Sequence, residues 1–142
     1  MTEIEFLILA NHAEVRDGLL NLLGGGWTDH WRRIGPGGPP NSHFGIGVGV
    51  RIDWNDTNRP HHITLRFETS DGKTVAKIEG DMEVGRPAGL QPGSSQLAAL
   101  AFNLDTRWPS AGTFRVTARL GDKAETEKEV TFRVHDQQPG TA

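Results

Sequence analysis

The 142-residue chain contains no cysteine. That excludes a disulfide framework, a thiol nucleophile, an iron–sulfur cluster and any zinc site built on cysteine. No apolar run approaches the roughly 20 residues that cross a bilayer. The opening MTEIEFLILA carries Glu3 and Glu5 where a secretory signal needs positive charge, and its FLILA run is too short for a signal's hydrophobic segment. The formal net charge of −3 gives no global attraction to nucleic acid or to an anionic membrane. These absences point to a soluble, cytoplasmic chain, in which the sequon Asn55-Asp56-Thr57 arises by chance.

Catalytic signatures are missing as well. There is no G-x-S-x-G elbow, since Gly93-Ser94-Ser95 sits in a Pro/Gly loop rather than at a strand-to-helix turn. The Gly24-Gly25-Gly26 run lacks the Lys-Ser/Thr of a phosphate loop, and no H-E-x-x-H occurs. Asp81 and Glu83 stand two apart on one strand face, a spacing open to paired-carboxylate catalysis. Solvated strands supply such pairs routinely. The balance leans against an enzyme, and no cofactor is expected.

What is present is turn chemistry and alternation. With 18 glycines and 8 prolines, the chain suits short strands better than helices. In 44–54, FGIGVGVRIDW, the residues Ile46, Val48, Val50, Ile52 and Trp54 share one face, while Gly45, Gly47, Gly49, Arg51 and Asp53 share the other. Residues 62–84 read as a hairpin about Ser70-Asp71-Gly72. Leu100, Phe102, Leu104 and Trp108 form a further apolar face. In the last pair, Phe114, Val116, Ala118 and Leu120 oppose Val130, Phe132 and Val134, with GDKAE as the turn. The segments 35–43 and 85–96 are too rich in Gly and Pro for a ladder, and 136–142 is expected to be a disordered tail. The chain therefore reads as one all-β, antiparallel sandwich domain over residues 1–135. Residues 11–26 fit two patterns: a helical stripe of Val15, Leu19, Leu22 and Leu23, or two strands about Asp17-Gly18. A glycine inside a helix would cost ~1 kcal/mol.

Three constellations invite a functional reading. DWNDTNRPHH, residues 53–62, gathers ligand-type side chains, and His43, Asp53, Asp56, His61 and His62 are its metal candidates. Adjacent strand residues point to opposite faces, so His61 and His62 do not readily share an ion. Asp53, Asn55 and Thr57 imitate a calcium loop, but Asn58 stands where its glycine is needed and Thr64 where its glutamate is needed. A polar turn is preferred, with no metal, because Asx side chains bond their own backbone. In GGGWTDHWRRIGPGGPP, the residues Trp27, Trp31, Arg32 and Arg33 form a candidate partner-binding surface of aromatics interleaved with arginines. Trp27 also suits a core plug. Arg107, Arg115, Arg119 and Arg133, with Asp105 and Glu129 among them, read as a solvated face rather than a nucleic-acid surface.

Taken together, FLILANHAEV, LLNLLGGGW, DWNDTNRPHHITLRFETSDG and GTFRVTARLGDKAETEKEVTFRV resemble a family of small bacterial proteins, common in actinobacteria, that has no assigned activity. The resemblance spans roughly residues 4–135 and implies an immunoglobulin-like β-sandwich. It also implies the hairpin reading of residues 13–24. The expected function is a non-catalytic interaction or assembly module that binds a protein partner or itself. The route to self-association would be the bare strand face at Gly45, Gly47 and Gly49, which admits another backbone. The alternative is a small-ligand or metal-binding protein built on the His43/Asp53/Asp56/His61/His62 region. Nucleic-acid binding through Trp31, Arg32 and Arg33 ranks below both.

Overall fold

The computed structural model describes residues 2–122 and 126–137. Among these, the strands in chain order are β1 (Glu3–Ala10), β2 (His12–Arg16), β3 (Leu19–Leu23), β4 (Asp29–Arg33) and β5 (Ser42–Ile52). A 3-10 turn (Trp54–Asp56) follows, and then β6 (Pro60–Thr69), β7 (Thr74–Glu83), β8 (Gln96–Thr106), β9 (Gly112–Leu120) and β10 (Lys128–Gln137). No helix among the described residues is long and apolar enough to cross a membrane. Three sheets result, ordered β1-β5-β8, β4-β10-β9-β6-β7 and β2-β3.

Alternation explains the core. Phe44, Ile46, Val48, Val50 and Ile52 point from β5 into a cluster completed by Ile63, Leu65 and Phe67 of β6 and by the expected apolar faces of β9 and β10. Trp108, two residues past β8, sits at its centre, with ring centroids 5.1 Å from Phe44, 5.1 Å from Phe114 and 5.3 Å from Phe132. Trp27 packs edge-on to Phe44 at 4.7 Å as a partly buried plug on the core.

Several expectations are corrected. The fold is all-β but not wholly antiparallel, because β4 runs parallel to β10. DHWRR does not read as a strand because its inward alternate positions, half-buried His30 and buried Arg32, are polar letters. β5 stops at Ile52, so Trp54 leaves the core face and lies in the 3-10 turn. The Gly/Pro segments lend their last residues to strands, Ser42 and His43 to β5 and Gln96 to β8. β10 continues through Asp136 and Gln137. Residues 138–142 of the expected tail, and 123–125 of the GDKAE turn, lie outside the described residues.

The glycine face of β5 is not bare. Asp17 (φ 53°) and Gly18 (φ 74°) close β2 and β3 into the tight hairpin implied for residues 13–24. That hairpin lies across the outer side of β5 and β8. An alanine Cβ at Gly45 would stand 2.5 Å from the His12 carbonyl carbon, and one at Gly47 would stand 2.8 Å from Leu20 Cδ2. Phe6 covers Gly49 in the same way. The space these glycines leave is therefore filled from within the chain, by backbone at Gly45 and by side chains at Gly47 and Gly49, which removes this face as a route to self-association. Asn103 of β8 fastens the hairpin, accepting from the Ala13 N–H (3.1 Å) and donating to the Ala13 carbonyl (2.9 Å). Asn103→Ala should cost about 1–2 kcal/mol. Hydrogen exchange should accelerate in β2 and β3 first, and uniform acceleration across all strands would contradict this anchoring role.

Candidate interaction surface

The polar turn at 53–62 is knit together by its own groups. Thr57 donates to the Trp54 carbonyl (2.7 Å), and Arg86 donates both to Thr57 Oγ1 and to the Trp54 carbonyl (2.7 Å each). The Arg86 guanidinium also lies 4.0 Å over the Trp54 ring. Thr2 bonds the Asp56 carboxylate and accepts from the Asp53 N–H at 3.1 Å. Asn58 adopts a left-handed conformation (φ 59°) that asparagine tolerates.

The five candidate metal ligands are not brought to one point. His61 Nε2 lies 2.8 Å from the Asp56 carbonyl. His62, on the opposite face of β6, pairs with Asp81 (2.9 Å) and Glu79 (3.5 Å) on β7. His43 belongs to the other sheet, where it meets Asp105 (2.8 Å) and stacks on His12, with their ring nitrogens 3.1 Å apart. No group of three or more His, Asp or Glu side chains among the described residues is arranged to hold a metal ion. Asp81, one half of the carboxylate pair, is thus the partner of a histidine.

The hydrogen bond that His62 donates to the Asp81 carboxylate, reinforced by Glu79, holds the imidazolium's pKa above the ordinary histidine range. The folded state then binds a proton that the unfolded chain has already released. This stabilisation is complete below the ordinary histidine pKa and is lost as pH rises through the raised value. An NMR titration should place His62 above a free imidazole, and Asp81→Asn should return it toward normal. A titration unaffected by Asp81→Asn would contradict this account.

The outer face of the large sheet carries charge rows rather than a cationic patch. Arg115 pairs with Glu68, Arg119 with Glu127, and Arg133 with Asp29. Arg107 lies beyond the end of β8, in the connection to β9, and Asp105 belongs to the small sheet with His43. Glu68, Arg115, Arg119 and Glu127, together with His62 and Lys77, line an open trough of about 390 Å³.

The arginine-tryptophan segment divides sharply. Arg32 is 3% exposed; it donates to the Trp108 carbonyl (2.8 Å) and pairs with Asp136. It is therefore a structural side chain, not part of an accessible surface. One position to either side, at Trp31 and Arg33, β4 turns outward. Trp31 is 62% exposed and stacks on His135 of β10, with centroids 4.2 Å apart and planes inclined by 18°. Below that stack, Asp29 accepts from Arg133 (2.7 and 3.0 Å) and lies 2.7 Å from His135 Nε2. The Arg133 and His135 bonds hold the Asp29 carboxyl well below the usual carboxylate range. Arg33 is exposed and has no charged partner among the described residues.

β4 is also a sheet edge. The Arg133 N–H donates to the Thr28 carbonyl (2.8 Å) and the Ile34 N–H to the Gln137 carbonyl (3.0 Å). Even-numbered residues thus turn their backbone toward β10, and the backbone groups of Asp29, Trp31 and Arg33 face the open side. Sequence reasoning singled out Trp31 and Arg33 but missed His135 and Asp29. The pairing that joins them spans 104 residues between Asp29 and Arg133, with no local signal.

The model of one protein family, DUF6941, a family of unknown function, matches residues 5–135. No curated protein matches the chain.

Proposed function

The chain belongs to DUF6941, and since that membership assigns no activity, we propose on geometric grounds that it is a non-catalytic interaction module that recognises another polypeptide at the β4 edge. The observation that carries this reading is Trp31, a large aromatic standing 62% exposed on an edge strand whose outward backbone groups have no strand partner among the described residues. Such an edge offers main-chain hydrogen bonds for affinity, while the Trp31–His135 stack and Arg33 supply side-chain selectivity. The strand order supports an immunoglobulin-like sandwich with an inserted hairpin. β1, β5 and β8 form one sheet, while β10, β9, β6 and β7 follow the order of the G, F, C and C′ strands in the other. β4 then extends that second sheet beyond β10.

A photo-reactive amino acid in place of Arg33, activated in the cells that make the protein, tests the reading. A covalent protein adduct is expected at position 33, lost in the Trp31→Ala background and absent when the same group replaces Glu129, which is on the outer face away from the edge. Equal labelling at both positions, or no adduct at either, would sink it.

A further inference from the structure

We infer that the partner at the β4 edge is a second copy of this chain, paired antiparallel about Trp31 so that Asp29 of each copy faces Arg33 of the other. The inference rests on the reading of β4 as the recognition edge and adds the identity of the occupant. The outward-facing residues of β4 are Asp29, Trp31 and Arg33, an acid two positions before the tryptophan and a base two positions after it. Turning a copy of this strand through a two-fold axis at Trp31 places acid opposite base twice and tryptophan beside tryptophan. Parallel self-pairing would instead set like charge beside like charge.

The remaining observations agree with this register. Arg33 is exposed and lacks a charged partner among the described residues, so its charge is available. Asp29 is already bonded by Arg133, His135 and Thr28, but its side chain is a third exposed, so Arg33 of the other copy meets it as an opposite charge at the surface rather than as a further hydrogen-bond donor. No proline or lysine lies within β4 to discourage pairing, although natural edges commonly carry such residues. A two-fold axis normal to the sheet keeps the outer faces of both copies on the same side, so the two five-stranded sheets become one continuous sheet. With only five residues per strand, the contact is small and the dimer is weak, of the order of micromolar.

Two measurements on the full chain test the inference. Sedimentation velocity from micromolar to millimolar concentration should show a reversible monomer–dimer equilibrium. Arg33→Asp, which sets acid against acid twice, should weaken that equilibrium at least tenfold. A wild-type chain that stays monomeric throughout, or an Arg33→Asp chain that dimerises equally well, overturns the inference. The second measurement exploits the absence of native cysteine. Asp29→Cys and Arg33→Cys chains are oxidised separately and mixed. Facing positions in the antiparallel register lie about 5.5 Å apart at Cα, within disulfide reach. Like positions lie roughly 14 Å apart. A mixed disulfide well in excess of either homodisulfide is expected. A statistical mixture, or no cross-link, rejects the register.

The photo-adduct at position 33 separates this inference from the broader one. An adduct of twice the chain mass supports both. An adduct with only a different protein overturns the homodimer and leaves the interaction reading intact. The lack of any adduct removes both.

Discussion

Gly45→Ala should lower folding stability by about 3 kcal/mol, far beyond the effect usual for adding one methyl group to a strand. Gly45 has extended backbone, so an alanine there suffers no conformational strain and the cost is entirely steric. The new Cβ would lie 2.5 Å from the His12 carbonyl carbon, 2.6 Å from the Ala13 nitrogen and 2.7 Å from His12 Cα. All three are backbone atoms and cannot rotate aside. Relief requires lifting the β2–β3 hairpin, which breaks both Asn103–Ala13 hydrogen bonds. Gly49→Ala gives the contrast, because the obstacle there is the Phe6 ring, a side chain that can swing outward. Its cost should be about half as large. Urea denaturation of both variants measures the difference, and equal tolerance at the two positions would refute the packing account.

The second large effect concerns the adjacent arginines. Arg32→Met should cost about 3 kcal/mol and lower the melting temperature by roughly 10 °C. Breaking a buried ion pair typically costs 3–5 kcal/mol, because one charge is left behind without its partner. Here the Asp136 side chain remains 31% exposed, so water compensates part of the loss and the lower end applies. The Trp108 carbonyl loses its donor at the same time. Arg33→Ala, one residue later, should change stability by no more than about 0.5 kcal/mol. Differential scanning calorimetry reads both variants. An Arg32→Met chain as stable as wild type, yet deficient in association, would return Arg32 to the recognition surface.

These two predictions mark where sequence reasoning reached and where it stopped. Period-two alternation found β5, β6, β9 and β10 and the buried faces of each, because one face meets the core and the other meets water. The Asp-Gly pair offered a β2–β3 turn beside the helical pattern, and the family resemblance, not the residues alone, implied the hairpin that forms, with positive φ at both positions. The bare glycine face of β5 invites a second chain's backbone, but the structure brings the chain's own backbone to Gly45 and side chains to Gly47 and Gly49, a matter of tertiary structure. Two neighbouring arginines look alike as letters. The alternation of β4 sends Arg32 inward and Arg33 outward, and β4 itself became visible only through its pairing with β10 at the far end of the chain. The candidate surface was half legible for the same reason. Trp31 and Arg33 stood out as exposed aromatic and cation, whereas His135 and Asp29 join them through non-local register.

The hairpin that covers β5 has a kinetic corollary. It belongs to neither ladder of the two larger sheets, and few bonds fasten it. It is therefore expected to open more easily than the sheets beneath it. Each such excursion would uncover a smooth strip around Gly45, Gly47 and Ala101, a flat patch of sheet with almost no side chains to discourage stacking. The shelf life of concentrated protein should then follow the frequency of hairpin lifting rather than the global melting temperature. A clamp across β2 and β8 would lengthen storage even if it left the melting temperature unchanged.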